Sequence, residues 1–149
     1  VSESFDGMDA CICLIEHKIA NQYIITFAGA NRMLYYYQKG THQIQTLRGN
    51  RKTIGGIMPD VDSDFLNNRI YLSPGDMIFL NSDGIVDQNN ENRKKYTASR
   101  FHASLLANID KPMAEMGSEI SKLFEQFRGN AFQRDDITVL GLRLLEEFD

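Results

Sequence analysis

The chain contains no tryptophan, and among its 149 residues there are only two cysteines, three prolines and three histidines. Each scarcity excludes something. Cys11 and Cys13 stand two apart. In a strand they share a face but are joined by a loop too short for good disulfide geometry. They read as buried free thiols, which suit a reducing compartment, and the expected location is cytoplasmic. A C-x-C pair needs further Cys or His partners to hold zinc, and His17, His42 and His102 follow no ligand spacing. No apolar run approaches the roughly 18 residues required to cross a bilayer, so membrane insertion of this segment is not expected. Basic charge is also short. Sixteen Lys and Arg face twenty Asp and Glu, for a net charge of -4, the wrong sign for a general nucleic-acid binder. Val1-Ser2-Glu3-Ser4 has neither the basic nor the apolar region of a signal peptide and reads as the start of a piece cut from something longer.

What is present is an ordinary globular composition, 42% hydrophobic and 24% charged, at the size of one domain. The first half reads as strands. Ala10 to Ile15 and Gln22 to Ala28 are apolar or β-branched runs around a polar turn, which predicts a hairpin. Met33 to Gln38 and Thr41 to Leu47 flank the turn Lys39-Gly40 and extend the hairpin into an antiparallel meander. Arg48 to Asn67 carries Gly49, Gly55, Gly56 and Pro59 and reads as a long loop in which Asp60, Asp62 and Asp64 are solvated. Asn68 to Leu72 is a short strand, and Ser73-Pro74-Gly75-Asp76 is a turn in which Asp76 is a turn residue. Met77 to Leu80 is apolar without alternation, as in a central strand covered on both faces.

The period then changes. Asp87 to Lys95 is polar and loop-like. Phe101, Leu105 and Ile109 form one helical stripe in Thr97 to Ile109. Asp110-Lys111-Pro112 resembles an acidic cap opening a second helix, whose stripe Met113, Met116, Ile120, Leu123, Phe124, Phe127 reads as core. Ile137 to Leu144 is the last strand. Strands, two helices and a final strand imply an α+β layered domain with the helices on one sheet face.

Aspartates stand at the ends of the two strands that read as most buried. Asp83-Gly84 follows Met77 to Leu80, and Asp135-Asp136 precedes Ile137. If these strands are antiparallel neighbours, Asp83 and Asp135 meet at one rim of the sheet, within reach of Asp6 and Asp9. Crowded carboxylates repel, and a shared cation removes that cost. Oxygen-only ligands select a hard ion, Mg2+ or Mn2+. Two such ions about 3.5–4 Å apart can generate hydroxide for an in-line displacement at phosphorus. Aspartates at strand ends also serve local hydrogen bonding, and that reading stays open at this point. Arg32, Arg51, Lys52 and Arg134 are cations near these segments that could meet a phosphate, and no spacing selects one.

The segment from Gly75 to Ile85, GDMIFLNSDGI, resembles the G-D-x-(apolar)3-x-(S/T)-D-G-(I/V) motif of metal-dependent (PPM-type) protein phosphatases, in the bacterial branch typified by stage II sporulation protein E. Asp135 to Leu140, DDITVL, resembles that family's closing motif. Phe27 to Asn31, FAGAN, and Thr53 to Gly56, TIGG, are similar to two further segments in the same order. The resemblance implies an antiparallel β-sandwich flanked by helices, with a two-metal site at the sheet rim and no protein nucleophile. It implies that Asp83 and Asp135 bind metal and that Asp136 fills a position held by Asn or Asp; Gly84, which would let the backbone turn sharply beside the ion, and Asp9, at the same rim, are expected to support the site. It also implies a serine/threonine phosphatase whose substrate is a phosphorylated regulatory protein of the anti-sigma-factor antagonist type, driven by an upstream sensor domain in the same polypeptide. The family's D-x-(S/A)-G-H-G segment, which supplies a bridging aspartate, has no counterpart here. Residues 1–149 therefore read as a single, partial phosphatase domain lacking its N-terminal motif. A catalytically silent phosphatase-like interaction module is the alternative. An unrelated magnesium-dependent phosphohydrolase of small molecules is a weaker one, distinguished by a deep aromatic pocket in place of a shallow open rim.

Overall fold

A computed structural model describes residues 6–18, 21–55 and 64–146. The predicted hairpin is present and longer than expected. Strand β2 (Ala10–Lys18) pairs with β3 (Gln22–Ala30) from Ala10↔Ala30 to Lys18↔Gln22, and the turn includes Asn21 at φ 55°. The polar residues Glu16 to Lys18 thus extend the strand rather than ending it, each lying opposite a β3 partner.

The expected single meander is divided between two sheets. β3 pairs on its other side with β7 (Asn68–Leu72), giving the order β2-β3-β7. β4 (Met33–Tyr37) instead joins β5 (Ile44–Arg48), β8 (Met77–Asn81) and β9 (Val139–Arg143) in the order β5-β4-β8-β9. The chain changes sheet at Gly29–Arg32, where Asn31 sits at φ 52°. An asparagine tolerates that left-handed conformation better than most residues, which permits the sharp exit. A two-stranded ribbon joins β1 (Gly7–Met8), ahead of the first predicted strand, to β6 (Ile54–Gly55), which lies inside the Arg48 to Asn67 stretch that read as all loop. Gly56, Pro59, Asp60 and Asp62 lie outside the described residues; Asp64 is exposed, as expected.

Alternation along the strands builds two cores. Ile25 and Phe27 of β3, Leu72 of β7, Leu34 of β4 and Ile78 of β8 form one cluster with Leu144, which makes the two sheets a sandwich. Tyr35, Tyr37, Met77 and Phe79 face the other way and pack on the helices. The helix layer is α2 (Thr97–Ala107) and α3 (Met113–Arg128), preceded by the short α1 (Asp83–Asp87). Phe101, Leu105, Met116, Ile120 and Phe124 are buried on the predicted stripes. Each such side chain withdrawn from water contributes about 1.5–3 kcal/mol. The α3 start differs from expectation: Pro112 is the N-cap and no side chain caps it, so Asp110 does not act as an acidic cap.

Three further expectations shift. Met77, Ile78 and Phe79 are buried as predicted, yet β9 is not a covered strand. It forms a sheet edge among the described residues, and Leu140 is 50% exposed. Cys11 and Cys13 are free thiols but only partly buried. Asp76 serves its turn as foreseen, its carboxylate accepting from the backbone N–H of Lys39 and of Ser73, each at 2.8 Å.

Candidate functional site at the sheet rim

β8 and β9 are antiparallel neighbours with Asn81 opposite Val139. The chain leaving β8 and the chain entering β9 therefore lie on the same rim, which is where the sequence placed Asp83 and Asp135. Ser82 locks the two segments together. Its N–H donates to the Thr138 carbonyl at 3.0 Å, its hydroxyl donates to the Asp136 carbonyl at 2.8 Å, and the same oxygen accepts from the Thr138 N–H at 3.0 Å. On the far side of Asp83, a Cβ placed on Gly84 would lie 2.4 Å from the Asp136 carbonyl oxygen. Gly84 thus matters because it permits close approach of two backbones, not because it makes a sharp turn. It is the second residue of α1, and its φ is not positive.

Asp83 opens α1 and is half-exposed, with its carboxylate 3.2 Å from Arg32 Nη1. Arg32 Nη2 lies 3.9 Å from Asp9 Oδ2, and the Asn31 amide donates to Asp9 Oδ1 at 3.1 Å. Asp9 and Asp83 therefore converge on one guanidinium in a cavity of about 110 Å3 that Tyr35 and Asn81 also line. Burial pushes the Tyr35 phenol upward in pKa, and the nearby Arg48 cation partly opposes this. Asp135 is used locally, its carboxylate accepting from the Asp136 N–H at 2.7 Å. The Asp136 side chain is exposed. Asp6 is exposed beside β1.

The donors at this rim are all oxygen, the chemistry that suits a hard divalent ion. Asp9 and Asp83 already surround a positive charge. Among the described residues no group of three or more His, Cys, Asp or Glu is assembled into a metal-holding cluster. The residues fit such an ion in kind, all of them offering oxygen. Sequence reasoning missed the pairing role of Arg32, since it had four cations and no spacing rule to choose among them. It also missed Gln88, a buried residue whose amide donates to the Phe132 carbonyl at 2.8 Å and whose oxygen accepts from the Arg134 N–H at 3.2 Å. Those two bonds hold the 132–134 segment that leads into Asp135. A larger groove, about 570 Å3, runs between α3 and β9 and contains none of the rim carboxylates.

Residues 3–145 match the family model for stage II sporulation protein E (SpoIIE). The chain belongs to the SpoIIE family. Its fold is that of PP2C-type serine/threonine phosphatase domains. The SiaA-PP2C domain of Pseudomonas aeruginosa is similar at 30% identity with a TM-score of 0.70, over 86% of this chain and 51% of that one. The Mn-presoaked phosphatase domain of the cell fate determinant SpoIIE from Bacillus subtilis is similar at 13% identity and a TM-score of 0.61, over 94% of this chain and 59% of that one. The Mycobacterium tuberculosis serine/threonine phosphatase PstP/Ppp shares the fold at 14% identity and a TM-score of 0.56, over 94% of this chain and 61% of that one. The SpoIIE-family chain thus spans between about half and three fifths of the length of these three domains. No curated protein matches it. No helix among the described residues is long and apolar enough to cross a membrane.

Proposed function

We propose that this SpoIIE-family chain contributes the β8–β9 rim of a metal-dependent phosphatase that hydrolyses phosphoserine or phosphothreonine on a partner protein. The observation that carries the reading is the Ser82 lock, which sets Asp83 beside the Asp135–Asp136 segment at the joint ends of two antiparallel strands. Asp83, Asp135 and Asp136 would hold Mn2+ or Mg2+, with Asp9 across the cavity and Gly84 permitting the approach. The ion, once bound, supplies a hydroxide nucleophile near neutral pH and neutralises charge on the phosphoryl oxygens. The chain's own part is to orient. Ser82 and Gly84 fix the spacing of the two segments, Asn31 holds Asp9, and Arg32 keeps Asp83 and Asp9 from repelling each other.

The carboxylate cavity is small and open at the rim, about 110 Å3, far below the roughly 300–1,000 Å3 of a small-molecule pocket. That favours a phosphorylated side chain presented on a protein. A phosphorylated regulatory protein as substrate, and a sensor domain in the same polypeptide as controller, complete the proposal. The test is hydrolysis of p-nitrophenyl phosphate by the full-length polypeptide with manganese. Asp83→Asn, which keeps the shape and removes the charge, is expected to abolish turnover while leaving the circular dichroism spectrum intact. Undiminished turnover in that variant refutes the assignment.

A further inference from the structure

The rim cavity has a neighbour of opposite character. A second cavity of about 120 Å3 is lined by Asn31, Arg32, Arg48, Asn50 and Arg51. The two cavities share Asn31, Arg32 and Met33, so they lie on either side of one short segment. One side presents Asp9 and Asp83, the other presents Arg48 and Arg51, and Arg32 stands on the boundary. In a chain with a net charge of -4, three arginines around one small cavity are a local reversal of sign.

The backbone holds this arrangement in place. The β3–β4 turn and the residues after β5 cross and are joined by three hydrogen bonds. Asn31 N–H donates to the Asn50 carbonyl at 2.8 Å, Asn50 N–H to the Gly29 carbonyl at 2.7 Å, and Gly49 N–H to the Arg32 carbonyl at 3.1 Å. The approach is so close that a Cβ on Gly49 would sit 2.3 Å from the Gly29 carbonyl oxygen. Met33 pairs directly with Arg48 in the β4–β5 ladder. The backbone at Arg32 and Arg48 is thereby held together, with Arg51 following directly after the crossing. Among the described residues Arg32 alone of the three is ion-paired. Arg48 and Arg51 are exposed.

We infer that the Arg48–Arg51 cavity receives a carboxylate side chain flanking the phosphorylated residue, so that the phosphatase selects phosphoproteins with an acidic residue beside the scissile phosphate. This rests on the phosphatase reading above. It goes further by naming the substrate class. The carboxylate rim handles the phosphoryl group, and the arginine cavity, one segment away, reads the neighbouring side chain. Arginine suits the task because its planar fork donates two parallel hydrogen bonds to a carboxylate.

The experiment compares two phosphoserine peptides, one with glutamate on both sides of the phosphoserine and one with alanine there, as substrates of the full-length protein with manganese. The acidic peptide is expected to be preferred by about fivefold to tenfold in kcat/KM, as befits exposed charge-assisted contacts. The preference should reside in KM and shrink as salt is raised. In the double variant Arg48→Gln/Arg51→Gln the ratio should fall to about one, and Arg48→Lys/Arg51→Lys should restore part of it. Thermal melts confirm that the variants fold. Equal treatment of the two peptides by the wild type, or a preference that survives in the glutamine variant, overturns the inference. If neither peptide is hydrolysed, the phosphatase reading fails instead. Fluorescence-polarisation binding of the same labelled peptides to wild type and glutamine variant then decides the docking claim: loss of acidic-peptide binding in the variant upholds it, and unchanged binding refutes it.

Discussion

Replacing Gly84 with alanine tests whether the rim depends on close backbone approach. The new methyl would stand 2.4 Å from the Asp136 carbonyl oxygen, 3.0 Å from its carbon and 3.1 Å from Ile137 Cγ1. A relaxed carbon contact needs roughly 3.5 Å, so the segments must part by about 1 Å. The three hydrogen bonds that Ser82 makes to Asp136 and Thr138 span that same gap. At a net worth of about 0.5–1.5 kcal/mol each, their loss costs about 2–4 kcal/mol. Alanine's better helix propensity in α1 returns about 1 kcal/mol. The net loss is about 1–3 kcal/mol, read from urea denaturation followed by circular dichroism. Gly117→Ala is the control. Gly117 lies within α3, and its added Cβ would have nothing within 4 Å. That variant should be more stable by about 0.5–1 kcal/mol. Opposite signs for one chemical change would establish the contact as the cause. If Gly84→Ala is neutral or stabilising like Gly117→Ala, the packing argument for the rim is wrong.

His102 and Asp76 supply two further tests. Burial lowers the His102 pKa below its ordinary value; its ring packs against Tyr35 at 4.5 Å, and Nε2 has no hydrogen-bond partner among the described residues. A depressed folded-state pKa means that the unfolded chain takes up the proton first. Stability from neutral His102 is therefore full above the ordinary histidine value near 6.5 and is lost as pH falls below it toward the lowered folded value. A His102→Gln variant should flatten the fall in melting temperature as pH drops below about 6.5, and an unchanged slope would exclude His102 as its source. Asp76→Ala strands the N–H groups of Lys39 and Ser73. It should destabilise the fold by about 2–4 kcal/mol in denaturant titrations, whereas a loss under 0.5 kcal/mol would show that water replaces the carboxylate.

The parts of this fold legible in the sequence are those in which one local signal decides the outcome. The unbroken Met77–Leu80 run reads as a strand covered on both faces, and the α3 stripe buries Met116, Ile120 and Phe124, although Leu123, read as core with them, stays exposed. Their antiparallel consequence, Asp83 and Asp135 on one rim, followed from strand direction alone. What stayed hidden depends on partners distant in sequence. The change of sheet at Gly29–Arg32 is set by Gly49 and Asn50, some twenty residues away. The choice of Arg32 over three other cations is made by where that crossing delivers its side chain. β9 reads as buried because Val139, Leu140 and Leu142 are apolar, and no local pattern could reveal that one flank of it stays open among the described residues.

That open flank bears on how the protein is handled. Backbone donors and acceptors along the outer side of β9 offer a template on which another extended chain can lay itself. Residues 1–149 prepared alone should therefore grow sticky as they are concentrated, and their apparent melting point should drift with dilution, since mass action then contributes to what looks like intrinsic stability.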